Sequence, residues 1–128
     1  MTAQTDRSTA SKLVVRKMYD AAIAGEVAGV LALLDENVVC HESPVLPYGR
    51  DYHGAAGIQE LFGPLGSYLA VEKIVIDSLI ADGDQVVAII RLPVRSSGIE
   101  VRAAEHHRVR DGKVVEQWIY FFDPTQVQ

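Results

Sequence analysis

The sequence has few of the features that mark disulfide-bonded, membrane-spanning or nucleic-acid-binding proteins. Cys40 is the only cysteine, so no internal disulfide can form, and a reduced cytoplasmic setting is expected. No apolar run reaches the length of about 18 residues that suggests a membrane span, and the N-terminus has no signal-peptide pattern. Lys and Arg total 12 against 17 Asp and Glu, and the net charge of −5 argues against a nucleic-acid partner.

Motifs for cofactors, metals and nucleophilic catalysis are missing as well. The chain has no glycine-rich phosphate loop, no nucleophile elbow and no cluster with the spacing of metal ligands. His106 and His107 are adjacent in a predicted strand, so their side chains point to opposite faces and cannot share a metal ion. The sequence therefore predicts a protein that works without a cofactor or a metal.

The composition is that of a compact globular protein. Hydrophobic residues make up 48% of the 128 residues and charged residues 23%, which is typical of a folded chain with a core. This length predicts one domain. Residues 1–10 are small and polar and are expected to form a flexible N-terminal tail, so that residues 11–128 form the domain.

The pattern of apolar residues changes its period midway along the chain. The first half has the spacing of helices, with a break or kink expected at Gly63-Pro64 because proline removes a backbone donor. The second half alternates with period two, and Asp82-Gly83 and Asp111-Gly112 are typical of hairpin turns. Helices followed by a meander predict an α+β fold, with three helices on one face of a curved antiparallel sheet. The predicted helices cover 11–25, 27–34 and a stretch from residue 55; the predicted strands cover 38–42, 71–81, 85–95 and the hairpin 99–123.

Glu105 is the most informative residue, because it interrupts an apolar strand face. Strand parity assigns it to the same face as four aliphatic residues and His107. A buried carboxylate must find a partner or stay protonated. His107, two residues along, is either a proton shuttle or a core histidine that pairs with Glu105. The aliphatic residues of this face are Ile99, Val101, Ala103 and Val109.

The outer face of the sheet is also rich in apolar residues, which predicts a homodimer. Residues 86–92 are apolar on both parities, and a monomer would expose that surface as a large patch. In the last strand, Trp118 and Tyr120 share one parity and are assigned to the dimer face. Gln117 and Phe121 share the other parity and are assigned to a cavity.

Three stretches resemble the nuclear transport factor 2-like superfamily, whose fold is a cone-shaped α+β barrel. YDAAIAGE at 19–26 and LALLDENV at 31–38 are similar to the N-terminal half of bacterial ketosteroid isomerases and SnoaL-like polyketide cyclases. EHHRVRDGKVVEQW at 105–118 resembles the closing hairpin of the same families. The resemblance covers residues 11–123, and this superfold hosts enzymes and non-enzymes alike.

The resemblance to ketosteroid isomerase implies roles for individual residues. The general base of the isomerase falls on Glu42, and the carboxylic acid of its oxyanion hole falls on Glu105. The tyrosine in the first helix of the isomerase falls on Met18, with Tyr19 one position further along and rotated by about 100° around the helix. Glu42, Glu105 and His107 are thus the candidate catalytic residues. The candidate pocket residues are Met18, Tyr19, Tyr48, Phe62, Gln117 and Phe121.

These residues favour a cofactor-independent acid–base enzyme acting on a small hydrophobic carbonyl compound, by proton transfer of the isomerase or cyclase type. Glu105, in mid-strand, is expected to be the more desolvated and protonated; Glu42, beside a loop, is expected to be ionised and act as the base. A non-catalytic small-ligand binding or dimerisation module is the alternative. A dehydratase or an epoxide hydrolase is a further one, although Ala103 replaces the arginine that the epoxide-hydrolase branch would require.

Overall fold

The computed structural model describes residues 3–128, which form three α-helices and a single six-stranded sheet. None of the described helices is long and apolar enough to cross a lipid bilayer. In the sheet the strands are ordered β2-β1-β6-β5-β4-β3. The helices are α1 (Ala3–Ile23), α2 (Val27–Leu31) and α3 (Gly54–Tyr68); the strands are β1 (Leu34–His41), β2 (Asp51–His53), β3 (Val75–Asp82), β4 (Gln85–Pro93), β5 (Glu100–Arg110) and β6 (Lys113–Phe121).

The three helices pack on the concave face of this curved, unclosed sheet, which confirms the predicted α+β fold class. Alternate residues of the long strands point into the core, as the period of two predicts. On β4 the buried residues are Val86, Ala88, Ile90 and Leu92. The inner face of the sheet is therefore apolar, as the alternation predicted, and it forms one wall of the candidate site.

One strand pairing differs from the expected antiparallel meander, because β1 lies parallel to β6. Cys40 pairs with Gln117 and His41 pairs with Trp118, after a register irregularity earlier in β1. The two strands are separated by most of the chain, so no local turn sets their direction. The predicted all-antiparallel sheet is wrong at this pair, and the parallel pairing brings the end of β1 beside the closing hairpin.

Helix α1 begins at Ala3, eight residues before the predicted start near Ser11. Its first turns are held against the β3–β4 hairpin, where the backbone N–H of Gly83 donates to the hydroxyl of Ser8 at 2.8 Å. Helical structure in the segment predicted as a tail thus depends on a tertiary contact that the polar sequence does not reveal. The first two residues of that predicted tail lie outside the described residues.

Helix α3 continues through Pro64, where the sequence predicted a break or kink. Proline costs one backbone hydrogen bond, but the helix has apolar residues packed in the core on both sides of it. Ile58 and Leu61 are buried before Pro64, and Leu65 packs against the core after it. Packing therefore keeps the helix continuous to Tyr68.

The hairpin turns lie close to the predicted places. Asp111 and Gly112 both have positive φ, 52° and 73°, as the Asp-Gly signal requires. The other turn is formed by Gly83 and Asp84, because Asp82 still pairs with Gln85. Helix α2 ends at Leu31, three residues before the predicted end, and Leu34 begins β1. Ile99, assigned to the buried face, is exposed and precedes β5.

Candidate active site

An apolar cavity of about 100 Å³ lies between the helices and the concave face of the sheet. Its wall is almost entirely aliphatic and aromatic, but it includes the carboxyl groups of Glu42 and Glu105. No Lys, Arg or His side chain lines it among residues 3–128. Two acids without a cation in an apolar site are an expensive arrangement, which is typical of functional sites.

The two glutamates occupy one row across three neighbouring strands. Ile119 of β6 pairs with Glu105 of β5, and Trp118 before it pairs with His41, the residue before Glu42. Glu42 therefore continues β1 opposite Ile119, on the same face as Glu105. With strands spaced by about 4.8 Å, the two backbones are roughly 10 Å apart and both side chains point into the cavity.

A chain of hydrogen bonds runs from Glu105 into the core. The hydroxyl of Tyr19 donates to Oε1 of Glu105 and lies 2.8 Å from Nε2 of His107. On the other side of the imidazole, Nε2 of Gln117 lies 3.1 Å from Nδ1, and the same nitrogen donates to Sδ of Met18 at 3.6 Å. Four side chains from α1, β5 and β6 thus converge behind one carboxyl group.

The surroundings of this chain set its charge state. Burial raises the pKa of Glu105, and the hydrogen bond from Tyr19 opposes that rise. Burial, together with the nearby His106, lowers the pKa of His107 to about 3, so the imidazole is neutral at ordinary pH. Burial and the neighbouring Glu105 raise the pKa of Tyr19, which keeps its hydroxyl protonated.

Glu42 has a different environment. It is only 6% exposed, and its Oε1 has no hydrogen-bond partner among the described residues. Burial, and then repulsion by Glu105, raise the pKa of Glu42 to about 8. The prediction that Glu42 lies near water is therefore wrong, because its side chain is buried beside the loop of residues 43–50. Its backbone N–H donates to the carbonyl of Arg50 at 3.2 Å, which holds that loop against the strand end.

These environments favour an assignment of protons opposite to the predicted one. Glu105 accepts a hydrogen bond from Tyr19, which stabilises its carboxylate. Glu42 lacks a donor at Oε1, so its neutral form is favoured. Because the two groups repel each other when both are ionised, ionisation of one carboxyl group disfavours ionisation of the other.

Most of the predicted site residues meet at the cavity. His107 does not line it; it lies fully buried behind Tyr19, so it cannot contact a bound molecule directly. Tyr48 does not line it either, because its ring packs 5.8 Å from that of Tyr68. The residues that do line the cavity are Glu42, Glu105, Met18, Tyr19, Phe62, Gln117 and Phe121.

Cys40 is a cavity residue that the sequence reasoning passed over. Its thiol lines the cavity two residues before Glu42, and strand parity alone could have placed it on that face. Burial, and then the nearby Glu42 and Glu105, raise the pKa of the thiol. The thiol therefore stays protonated and is a poor nucleophile.

A second apolar space, the vestibule, adjoins the cavity. It has a volume of about 180 Å³ and shares five wall residues with the cavity. Glu26 is its one charged wall residue within residues 3–128. The shared wall residues are Ala22, Val30, Phe62, Leu65 and Val71.

His41 fixes the end of β1 from the outer face of the sheet. Its Nδ1 lies 2.7 Å from a carboxyl oxygen of Asp51, and its Nε2 lies 2.7 Å from one of Glu116. Partial burial opposes protonation, but the bonds to Glu116 and Asp51 outweigh it and raise the pKa of His41. The imidazole ring thus links β2, β1 and β6 immediately before Glu42. Within residues 3–128, no cluster of His, Cys, Asp and Glu side chains could hold a metal ion.

A cone of three helices on a curved sheet, with acids in an apolar cavity, defines a protein of the nuclear transport factor 2-like class. The chain belongs to the SnoaL-like domain family, whose model matches residues 15–117. The predicted resemblance is thereby confirmed. No curated protein matches the chain.

Solved structures similar to this chain have the same fold. A protein from a soil-derived mobile gene cassette is 22% identical, with a TM-score of 0.81 over 94% of this chain and 95% of that one. An NTF2-like protein from Burkholderia thailandensis is 25% identical, with a TM-score of 0.80 over 91% and 93%. A candidate ketosteroid isomerase from Kribbella flavida is 16% identical, with a TM-score of 0.73 over 91% and 80%.

Proposed function

We propose that the protein is a cofactor-independent acid–base enzyme that moves a proton on a small, uncharged, hydrophobic carbonyl compound, in a reaction of the isomerase or cyclase type. The observation that carries this proposal is the pair of carboxyl groups, Glu42 and Glu105, in one apolar cavity without a cation. In this proposal the pair shares one proton near neutral pH, which Glu42 holds because its pKa is raised to about 8, so the pair offers an acid and a base at the same time.

The proposed reaction divides the work between the two groups. The carboxylate of Glu105 removes a proton from the carbon next to the carbonyl group. The neutral carboxyl of Glu42 donates a hydrogen bond to the carbonyl oxygen as negative charge develops there. Glu105 then returns the proton to another carbon, which isomerises the substrate. In the cyclase reaction the enolate carbon instead attacks a second carbonyl group of the substrate, and Glu105 returns the proton to the alkoxide that forms as the ring closes.

The walls of the site support a small, neutral substrate. A cavity of about 150 Å³ holds a benzene molecule, so the 100 Å³ cavity is smaller than a benzene site and suits the carbonyl end of a substrate or a short chain. The apolar remainder of the substrate would occupy the vestibule of about 180 Å³. An anionic substrate is disfavoured, because the cavity wall carries two acids and no cation among the described residues.

The first test is the exchange of carbon-bound hydrogen in D₂O, followed by NMR. We expect the protein to accelerate exchange next to the carbonyl group of a one-ring β,γ-unsaturated ketone. Glu105→Gln should remove that acceleration, because it takes away the base, and Glu42→Gln should weaken it, because an amide N–H donates a weaker hydrogen bond than a carboxyl group. Glu60→Gln, which alters a surface partner of Arg50, is the matched control and should retain it. Tight binding of the ketone without exchange would favour the non-catalytic binding module.

The proposal includes a homodimer in the cytoplasm that buries the outer face of the sheet. Tyr120 is 57% exposed and Phe122 is 90% exposed, which is unusual for large aromatic side chains. We expect sedimentation at micromolar concentration to give the mass of two chains. Tyr120→Asp should give a monomer, whereas Leu13→Asp, at an exposed site on α1, should leave the dimer intact. A monomer in the unsubstituted protein would contradict this proposal.

A further inference from the structure

The hydrogen bonds behind Glu105 have a defined direction, which begins at Met18. A thioether sulfur carries no hydrogen and can only accept a hydrogen bond. The amide group of Gln117 lies 3.6 Å from this sulfur, so its NH₂ side faces Met18 and its oxygen does not. The same NH₂ group lies 3.1 Å from Nδ1 of His107.

This orientation determines the tautomer of His107. The imidazole is neutral, so it has one N–H group. Because Nδ1 accepts from Gln117, the hydrogen is on Nε2, which donates to the hydroxyl oxygen of Tyr19 at 2.8 Å. The hydroxyl of Tyr19 then has one remaining direction for its own hydrogen, towards Oε1 of Glu105.

We propose that Gln117 decides, through His107 and Tyr19, which of the two glutamates holds the shared proton. The aligned donors make Glu105 an acceptor, and the proton is left to Glu42. The catalytic consequence of this inference rests on the proposed function, but the location of the proton can be tested in the free protein. Gln117 and His107 are thus positioning residues, because they act on the reacting carboxyl through Tyr19.

The other titratable groups around the pair do not compete for this role. Cys40 of β1 stays protonated, because burial and the nearby carboxylates raise the pKa of its thiol. Tyr48 from the Ser43–Arg50 loop stays protonated for the same reasons. Tyr19 of α1 and His107 of β5 are neutral members of the chain itself. No fixed positive charge lines the cavity among the described residues, so hydrogen bonds decide the distribution of the proton.

The alternative direction has an opposite consequence. If Nδ1 of His107 carried the hydrogen, Nε2 would accept from Tyr19. The oxygen of Tyr19 could then only accept from Glu105, which would have to be protonated. Reversing the chain therefore reverses the acid and base roles of the two glutamates.

The test combines ¹⁵N NMR of His107 with ¹³C titration of the glutamate carboxyls in the free protein. We expect the unsubstituted protein to have the hydrogen on Nε2 and to ionise Glu105 before Glu42. In Gln117→Leu we expect loss of the single tautomer, with the opposite order of the two ionisations in the molecules that carry the hydrogen on Nδ1. Met18→Leu, which removes only the sulfur acceptor, should give a mixture of the two tautomers.

Gln85→Leu is the matched control, because Gln85 bonds to His106 on the outer face of the sheet and not to His107. It should leave the tautomer and the order of ionisation unchanged. Hydrogen on Nδ1 in the unsubstituted protein would overturn the inference, even if Gln117→Leu fails to fold. An unchanged order of ionisation in a folded Gln117→Leu would also overturn it. A negative result in the exchange assay, in contrast, would contradict the proposed enzymatic activity and would not affect the result on the tautomer of His107.

Discussion

Replacing Glu42 by glutamine should raise the free energy of unfolding near pH 8 by on the order of 4 kcal/mol. Burial is the main cause that raises the pKa of this carboxyl from 4.5 to about 8. Every tenfold weakening of an acid on folding costs the folded state about 1.4 kcal/mol once the group is ionised in the unfolded chain. Glutamine has nearly the same shape and never ionises, so it removes this cost.

The sign of the pH dependence follows from the direction in which the pKa moves. The unfolded chain releases the proton of Glu42 near its ordinary pKa of 4.5, whereas the folded protein holds it to about pH 8. The contribution of Glu42 to the free energy of unfolding is therefore fully present below pH 4.5 and is lost as the pH rises towards 8. Urea unfolding at several pH values should give this slope for the unsubstituted protein and a flatter curve for Glu42→Gln.

Glu36→Gln serves as the control, since Glu36 is exposed on the same strand. We expect its unfolding curve to follow that of the unsubstituted protein at every pH. Equal pH dependence in Glu42→Gln and the unsubstituted protein would contradict the burial of an unpartnered carboxyl. The expected gain agrees with a functional site, because activity often depends on a group that destabilises the fold.

Loss of either glutamate should lower turnover by about 10² to 10⁴, the usual contribution of a general acid or base. Glu105→Gln removes the proposed base, which accepts from Tyr19, and Glu42→Gln replaces the proposed acid by an amide, which is far less acidic and donates a weaker hydrogen bond. Because the two groups act as one unit, the double variant should be little worse than the poorer single variant. Steady-state rates with the ketone of the exchange assay measure all three.

Tyr19→Phe distinguishes direct from indirect effects in the same assay. It leaves both carboxyl groups in the cavity but removes the hydroxyl that donates to Glu105. We expect an intermediate rate and a higher apparent pKa for the base limb of the pH–rate profile, since the hydrogen bond that favours the carboxylate is gone.

For the double glutamate variant, a loss of rate equal to the product of the two single losses would contradict the proposal that the two groups share one proton.

Local sequence patterns were enough to predict the fold class. Alternation with a period of two identified β4 and β5, and Asp111-Gly112 has the positive φ values that the turn requires. The same alternation turned Glu105 towards the inner face, because parity along a strand is a property of the backbone alone. The resemblance of the closing hairpin then indicated the family that the whole chain matches.

Other features depend on contacts between distant segments, which no local pattern records. The direction of β1 beside β6, the helical structure before Ser11 and the continuity of α3 through Pro64 arise from packing. So does the burial of Glu42, which looks like a loop residue in the sequence and lies 6% exposed in the fold.

The proposed division of roles in the site likewise rests on tertiary structure. Strand parity indicated Glu105 and His107 and the family resemblance indicated Glu42, and the expectation from the sequence was that Glu105 would be the protonated acid. A pKa depends on the balance of burial, charge and hydrogen bonds in three dimensions. The donor from Tyr19 reaches Glu105 across 86 positions of the chain, and only the fold brings those two side chains together.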